Sequence, residues 1–172
     1  MPRRVEGRTI GLLGFGAIAT LLVKLLAPFE MNITAMRRSP RGDEGVPVVT
    51  PEQLPAALAT ADHVINILPD NAASRNFINA ECIAQMKPGV VIHNIGRGTT
   101  LDQDALLAAL RSGHVGAAWL DVTEPEPLPA DHPLRAEPNC FITPHIAGGH
   151  RGESQTLVRH FLANFQRYLA GQ

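Results

Sequence analysis

The sequence is poor in features that mark several classes of protein. Only two cysteines occur in 172 residues, Cys82 and Cys140, and they do not form a pair with metal-ligand spacing. We therefore expect two free thiols in a reducing compartment, a cytoplasmic location, and no metal site. No apolar run is long enough to cross a bilayer, and residues 1–7 lack the apolar segment of a signal peptide, so we expect no membrane partner and no export.

Excess charge is also almost absent. Fifteen lysine and arginine residues against 16 aspartate and glutamate residues give a net charge of −1. This balance offers no electrostatic reason to expect nucleic acid as a partner. No internal repeat or low-complexity segment divides the chain, and 45% of its residues are hydrophobic. Residues 1–172 are therefore expected to form one domain with a substantial core.

Strand-like and helix-like segments alternate along the chain, which predicts an α/β fold with a doubly wound parallel sheet and helices on both faces. Two segments are predicted to be loops, namely Arg38–Pro47 and the proline-rich Glu124–Pro138, and the latter is expected to lack regular structure. The predicted strands are Thr9–Leu13, Asn32–Met36, His63–Leu68, Val90–Asn94, Gly116–Leu120 and Cys140–Thr143. The predicted helices are Ala17–Phe29, Pro51–Ala59, Asn79–Met86, Asp102–Ser112 and, within a C-terminal helical segment at 150–172, Gly152–Leu169.

A Gly-x-Gly-x-x-Ala turn joins the first predicted strand to the first predicted helix. Gly14 permits the tight turn, Gly16 lets a pyrophosphate approach the backbone, and Ala19 is small enough for the helix to pack on the strand. Free N–H groups at the helix N-terminus favour phosphate. The motif predicts a Rossmann-type dinucleotide site, although such a turn also occurs without a ligand. The expected contacts here are Gly14, Phe15, Gly16, Ala17 and Ile18.

Chemically distinctive residues follow five predicted strands. In a doubly wound sheet, ligands bind at the carboxyl ends of the strands, where the strand order reverses. Any one of these segments is also explained as a solvated loop, but together they predict a single crevice. The segments are Gly14–Ala19, Arg37–Ser39, Gly96–Gly98, Asp121 with Glu126, and His145.

Three later motifs resemble signatures of the D-isomer-specific 2-hydroxyacid dehydrogenases. Met86–Gly98 reads MKPGVVIHNIGRG, Leu120–Pro127 reads LDVTEPEP, and Ile142–Gly148 reads ITPHIAG. The resemblance runs from about Gly7 to Gly171. It implies an oxidoreductase, or the cofactor-binding half of one, that transfers a hydride between NADP(H) or NAD(H) and a small D-2-hydroxy or 2-oxo acid such as glyoxylate or hydroxypyruvate.

The resemblance also implies roles for individual residues. His145 matches the general acid/base, and Glu126 matches the carboxylate that pairs with it and favours its protonated form. Arg97 matches the arginine that binds the substrate carboxylate, for which a planar guanidinium is well suited. Glu124 competes with Glu126 for the carboxylate role, but its spacing from Asp121 is less suitable. The alternatives are that His145 caps a strand end and that Arg97 forms a surface ion pair.

Further cofactor contacts are carried over from the family. Asp121 matches a residue near the nicotinamide and its ribose. Thr123 stands where the family usually has an aromatic residue, and Asp70 follows Pro69 where it usually has leucine. The contacts implied on this side of the cofactor are Leu68, Pro69, Ile95, Gly96, Arg97, Asp121, His145 and Gly148.

The residues after the second strand bear on the choice of cofactor. NAD-binding domains usually have an acidic residue there that grips the ribose hydroxyls. Here the position is Arg37, followed by Arg38 and Ser39. Two guanidinium groups and a hydroxyl suit a 2′-phosphate. We therefore predict a preference for NADP(H), with a solvated turn and NAD as the alternative.

The family is bilobal, and most of its substrate-binding lobe precedes the glycine motif. The resemblance therefore implies that this lobe is absent from the present chain. Closure of two lobes positions the substrate and excludes water, so we expect slow turnover or none from one lobe alone. A non-catalytic nucleotide-binding module is the alternative function. The family dimerises through this domain, which implies a homodimer.

Overall fold

Seven strands form the central layer of the chain. The computed structural model describes residues 7–149 and 152–171. The strands are β1 (Thr9–Leu13), β2 (Asn32–Met36), β3 (Val48–Val49), β4 (His63–Asn66), β5 (Val90–Asn94), β6 (Val115–Leu120) and β7 (Cys140–Ile142). They lie in the order β3-β2-β1-β4-β5-β6-β7, and every neighbouring pair is parallel. The order reverses between β1 and β4, which is where such a sheet opens a crevice.

Among the described residues, four helices connect these strands and a fifth follows β7, and local signals in the sequence mark several of the helix ends. The helices are α1 (Ala17–Leu26), α2 (Leu54–Leu58), α3 (Ala80–Ala84), α4 (Gln103–Ser112) and α5 (Glu153–Leu169). The Asp102 carboxylate accepts the N–H groups of the first turn of α4, and Gly113 ends that helix with a left-handed backbone. The Asn79 side chain caps α3 in the same way.

The core is divided between the two faces of the sheet. On one face, α2, α3 and α4 bury leucine and isoleucine side chains such as Leu58, Ile83 and Leu106 against the strands. On the other face, α1 packs through Ala19 on Ile10 and Leu12. Helices therefore cover both faces, which confirms the predicted doubly wound parallel sheet.

The second of these faces is covered only in part. Among the described residues, no helix covers β6 and β7 on the α1 side, where Trp119 and Phe141 remain 47% and 42% exposed. Their rings stack with centroids 4.3 Å apart. Helix α5 buries none of its described residues, and its apolar stripe is exposed. The described helices include none with the length and apolarity needed to span a membrane.

Several predicted boundaries need correction. The two-residue strand β3 was not predicted, because so short an edge strand has no alternating pattern. The first helix changes to a 3-10 turn at Ala27–Phe29, where Pro28 lacks an N–H donor. The predicted strand at His63–Leu68 stops at Asn66, since the Asn66 side chain accepts the N–H of Leu68 and turns the chain.

Two other segments also differ from the sequence prediction. The helix expected at Pro51–Ala59 begins as a 3-10 turn, with Thr50 as its N-cap, and continues as α2. The proline-rich segment Glu124–Pro138 is not free of regular structure, because Pro133–Arg135 forms a 3-10 turn. It also buries Leu128 and Leu134 in the core, so apolar anchors hold it in place. Residues 150, 151 and 172 of the predicted C-terminal segment lie outside the described residues.

Candidate active site

A cavity of about 450 Å³ opens at the carboxyl ends of β1, β2 and β4. Its position is the point of strand reversal at which doubly wound sheets bind ligands. The turn at Gly14 and Phe15 lines one side, and residues 68–77 line the other. The predicted cofactor residues that line it are Gly14, Phe15, Arg37, Arg38, Ser39, Leu68 and Pro69.

The glycine turn has the features that a diphosphate requires. Gly14 has a φ of +100°, and a Cβ there would lie 3.3 Å from the carbonyl oxygen of Ile67, so only glycine fits without strain. A Cβ at Gly16 would meet nothing within 4 Å, which leaves open space above the start of α1. No side chain caps that helix, and its first turn has no acidic residue. The residues present therefore fit the pyrophosphate of a dinucleotide, with Ala17 and Ile18 in the first turn of α1.

Arg37 is fixed by a residue that the sequence analysis did not identify. Its Nη1 donates to the Glu44 carboxylate at 3.2 Å, and its backbone N–H donates to the carbonyl of Val49 in β3. Hydrogen bonds from the backbone N–H groups of Arg41 and Gly42 lower the pKa of Glu44 despite its burial, so this group is an anion at neutral pH. No motif marks Glu44 in the sequence, because its role depends on how the turn after β2 folds.

A buried network of polar side chains shapes the ends of β4 and β5. Asn66, Asn94 and Thr100 are each fully buried. The Asn66 amide donates to the Asn94 Oδ1 at 2.9 Å and to the Thr100 hydroxyl at 2.6 Å. The network also bonds to the backbone of Leu68, Gly96 and Arg97, which are predicted site residues. No motif in the sequence predicts this network, although polar residues in otherwise apolar strands are a signal for it.

The segment with Arg97 packs tightly on the end of β4. A Cβ at Gly96 would lie 2.7 Å from the carbonyl oxygen of Leu68, so a larger residue cannot occupy this position without a backbone shift. The exposed side chain of Arg97 donates from Nη1 to the carbonyl of Gly96 at 2.6 Å. Among the described residues Arg97 has no ion pair, which disfavours the interpretation of this residue as part of a surface salt bridge.

Asp121 connects the loop after β6 to the loop after β7. Its carboxylate accepts the Thr143 hydroxyl at 2.5 Å and the backbone N–H groups of Ile146 and Ala147, each at 2.9 Å. Burial alone raises the pKa of Asp121, but these hydrogen bonds outweigh it and lower the pKa below its usual value. The carboxylate is therefore charged, and it holds the Thr143 side chain before His145 and the backbone after it. Contact with the nicotinamide ribose stays a prediction for this residue.

His145 and Glu126 form a pair at the same edge of the sheet. The His145 Nδ1 lies 2.6 Å from a Glu126 oxygen, and both side chains are partly exposed. His145 has a left-handed backbone with φ of +53°, which is uncommon for a residue other than glycine and often marks a functional position. Glu124 instead bonds through its backbone to the Gln103 amide, and the structure places Glu126 beside the imidazole.

The predicted site residues thus fall into two adjoining groups. The first group lies beside β1, β2 and β4, where most of its members line the cavity and Gly16, Ala17 and Ile18 lie at the start of α1 outside that lining. The second lies on the loops after β5, β6 and β7 and does not line that cavity; it comprises Ile95, Gly96, Arg97, Asp121, Glu126, His145 and Gly148. Because all the strands are parallel, both groups lie at one edge of the sheet. Both groups would be available to one bound dinucleotide, and their contact with the cofactor stays a prediction.

Several known proteins are similar to this chain in sequence and in structure. A glyoxylate/hydroxypyruvate reductase A of Serratia proteamaculans is 37% identical over 147 residues, which cover 85% of this chain and 47% of the relative. A D-isomer-specific 2-hydroxyacid dehydrogenase of Xanthobacter autotrophicus, solved with NADPH and MES, has a TM-score of 0.91 at 36% identity and is matched over 100% of this chain and 71% of its own.

An NADPH-dependent glyoxylate/hydroxypyruvate reductase of Sinorhizobium meliloti, solved with NADP and sulfate, has a TM-score of 0.88 at 30% identity, covering 95% of this chain and 53% of that one. The chain spans about half the length of the curated relatives it matches. Residues 1–147 match the family model described as D-isomer specific 2-hydroxyacid dehydrogenase, NAD binding domain. This chain therefore belongs to the D-isomer-specific 2-hydroxyacid dehydrogenase family.

Proposed function

We propose that this chain is the cofactor-binding half of an oxidoreductase that uses NADP(H) and acts on a small D-2-hydroxy or 2-oxo acid such as glyoxylate or hydroxypyruvate. The observation that carries the proposal is the His145–Glu126 pair, with 2.6 Å between Nδ1 and Oε1, at the same sheet edge as the dinucleotide cavity. A histidine oriented by a carboxylate is the usual arrangement for general acid/base catalysis.

Each of the candidate site residues has a different role in the proposed reaction. When bound, the dihydronicotinamide supplies the hydride. Glu126 engages Nδ1 of His145, so that Nε2 is available to hold the proton that the keto oxygen of the substrate receives. Arg97 binds the substrate carboxylate through its planar guanidinium. Asp121 keeps His145 in place through the backbone N–H groups that follow it.

The activity is tested by the oxidation of NADPH in the presence of glyoxylate or hydroxypyruvate. We expect His145→Ala to lower kcat by about 10²- to 10⁴-fold, the usual contribution of a positioned general acid. NADPH affinity, measured by calorimetry, serves as the control and should change little. Turnover that survives His145→Ala unchanged contradicts the proposed role of this residue.

The preference for NADP(H) is supported by the arginines that line the cavity after β2. Arg37, Arg38 and Ser39 provide cationic and hydroxyl donors suited to a 2′-phosphate. Two of the similar solved structures contain NADPH or NADP. We expect tighter binding of NADPH than of NADH, and a reversal in Arg37→Asp, since a carboxylate there repels the phosphate. Equal affinities in the wild-type protein contradict this preference.

A non-catalytic nucleotide-binding module is the second candidate function. It is supported by the cavity at β1, β2 and β4, which would bind a dinucleotide whether or not a substrate is turned over. Binding of NADPH without turnover of either oxo acid supports the module. Turnover that depends on His145 supports the enzyme.

We further propose that the chain forms a homodimer in the cytoplasm. It is supported by the uncovered side of β6 and β7, where Trp119 and Phe141 are exposed on strands of a parallel sheet that is normally covered on both faces. A second copy of the chain is the occupant we propose for this face. The cytoplasmic location is proposed from the two unpaired cysteines, Cys82 and Cys140.

A further inference from the structure

We propose that Glu44 is a positioning residue for cofactor selection, which holds the Arg37 guanidinium at the wall of the cavity in the orientation that receives the 2′-phosphate of NADP(H). This inference rests on the proposed function, because it concerns the same cavity and the same cofactor. It assigns a role to a carboxylate that neither lines the cavity nor belongs to any of the motifs.

Glu44 is an unusual residue for an exposed turn. It lies between β2 and β3 and is only 8% exposed, whereas its neighbours Asp43 and Gly45 are exposed. The backbone N–H of Arg41 donates to Oε1 at 2.7 Å, and that of Gly42 donates to Oε2 at 2.8 Å. Both carboxylate oxygens are thus engaged by the turn itself, which gives the group one fixed orientation.

This fixed carboxylate in turn restrains Arg37. The Arg37 Nη1 donates to Oε1 of Glu44 at 3.2 Å, while the backbone of Arg37 is bonded to Val49 in β3. A guanidinium carries five N–H donors, so one bond to Glu44 leaves others for a phosphate. Arg37 is therefore held at its backbone and at its guanidinium, and it loses little further freedom when it binds a ligand.

The adjacent arginine provides a contrast. Arg38 lines the same cavity and is exposed, and within the described residues no carboxylate pairs with it. The charge of Arg37 is offset by Glu44, whereas the charge of Arg38 is not. The two arginines thus act differently: Arg38 supplies the net positive charge that attracts a phosphate, and Arg37 supplies donors in a fixed position.

The test distinguishes the effect of the position of the Glu44 carboxylate from the effect of its charge. Glu44→Asp keeps the negative charge but shortens the side chain by one methylene, so that it no longer spans the distance to Arg37. Asp43→Glu is the matched control, because it makes the opposite one-methylene change at the adjacent exposed carboxylate. Affinities for NADPH and NADH are measured by calorimetry. For Glu44→Asp we expect about tenfold weaker NADPH binding, the size of effect expected when one charge-assisted hydrogen bond loses its preorganisation, with NADH affinity unchanged.

A double-mutant cycle with Arg37→Ala shows whether Glu44 acts through Arg37. In that background Glu44→Asp should have no further effect on NADPH affinity. The inference is overturned if Glu44→Asp leaves the ratio of NADPH to NADH affinity unchanged, or if both affinities fall together, as they would if Glu44 only stabilised the turn. A wild-type protein that binds NADH as tightly as NADPH overturns the cofactor assignment itself, and the role of Glu44 with it.

Discussion

At the scale of one residue, glycine at position 16 is predicted to be needed for dinucleotide binding and not for folding. Its backbone, with φ of −126° and ψ of −161°, lies in the extended region that any residue adopts, and a Cβ there meets nothing within 4 Å. The fold therefore does not need glycine at this position. The need arises only when a diphosphate occupies the space above the first turn of α1.

We accordingly expect Gly16→Val to lower dinucleotide affinity by at least about tenfold, because its side chain fills the space of the phosphates. The free energy of unfolding should change by less than about 1 kcal/mol, as for most exposed positions. Calorimetric titration with NADPH and urea unfolding of the same samples measure the two quantities. Unchanged affinity would contradict the placement of the diphosphate at this turn.

The sequence predicted candidate site residues and one of their contacts, the pairing of Glu126 with His145, but not the other partners of these side chains. The resemblance to the family predicted roles for Arg97, Glu126 and His145, because each lies in a segment typical of that family. Glu44 was missed because its contact with Arg37 depends on a turn that no local pattern specifies. The connection of Asp121 to residues 143–147 was missed for the same reason, since it joins two separate loops.

The strands β1 and β4 are joined at their amino ends by an ion cluster, away from the candidate site. The Asp62 carboxylate accepts the Thr9 backbone N–H at 3.0 Å, the Lys87 ammonium at 2.6 Å and an Arg8 guanidinium N–H at 3.3 Å. Burial alone raises the pKa of Asp62, but these donors outweigh it and lower the pKa from 3.8 to about 2. The ionised carboxylate therefore stabilises the folded state.

The pH dependence follows from the direction of this shift. Since the folded pKa lies below the unfolded value, the stabilisation is present above pH 3.8 and is lost as pH falls towards 2. Asp62→Asn should be less stable at pH 7 and should lose less stability than the wild-type protein between pH 4 and pH 2. Urea unfolding across this range measures the difference, with the exposed Asp131→Asn as control. Parallel curves for Asp62→Asn and wild type would contradict the assignment.

The ends of β4 and β5 depend on the buried hydroxyl of Thr100. This hydroxyl accepts from Asn66 at 2.6 Å and donates to the carbonyl of Arg97 at 2.6 Å. Thr100→Val preserves the shape but removes both bonds, so we expect a loss of about 1–3 kcal/mol in the free energy of unfolding. Thr100→Ser keeps the hydroxyl and is the control for lost packing. Urea unfolding gives both values, and a Thr100→Val protein as stable as wild type would show that the network is dispensable.

The elements themselves were predicted with uneven success. Long apolar strands such as Val90–Asn94 and helices with clear caps such as α4 were placed within a residue or two of their ends. The edge strand β3 could not be found, because two residues carry no periodicity and their strand conformation depends on pairing with β2. The buried leucines of the proline-rich segment were also unpredictable, since only tertiary packing orders them.

At the scale of the whole molecule, the described residues leave one face of the sheet uncovered over β6 and β7, where Trp119 and Phe141 are exposed. We expect the chain to sediment as a dimer, because burial of Phe141 and its apolar neighbours favours association. Phe141→Lys, which places a charge on this face, should shift the protein towards monomer, whereas Glu81→Lys on α3, on the opposite face, should not. Sedimentation velocity distinguishes these outcomes. A wild-type monomer at all concentrations would contradict the proposed second copy.

Trp119 is the single tryptophan of the chain, and its exposure in the folded state has a practical consequence. The indole emission reports contact with water, and here the indole is already half in water before the chain unfolds. Intrinsic fluorescence of the monomer will therefore change little on unfolding, and circular dichroism is the better measure of its stability. The same emission will shift to the blue when another surface covers the indole. The emission wavelength of Trp119 therefore reports association of the protein.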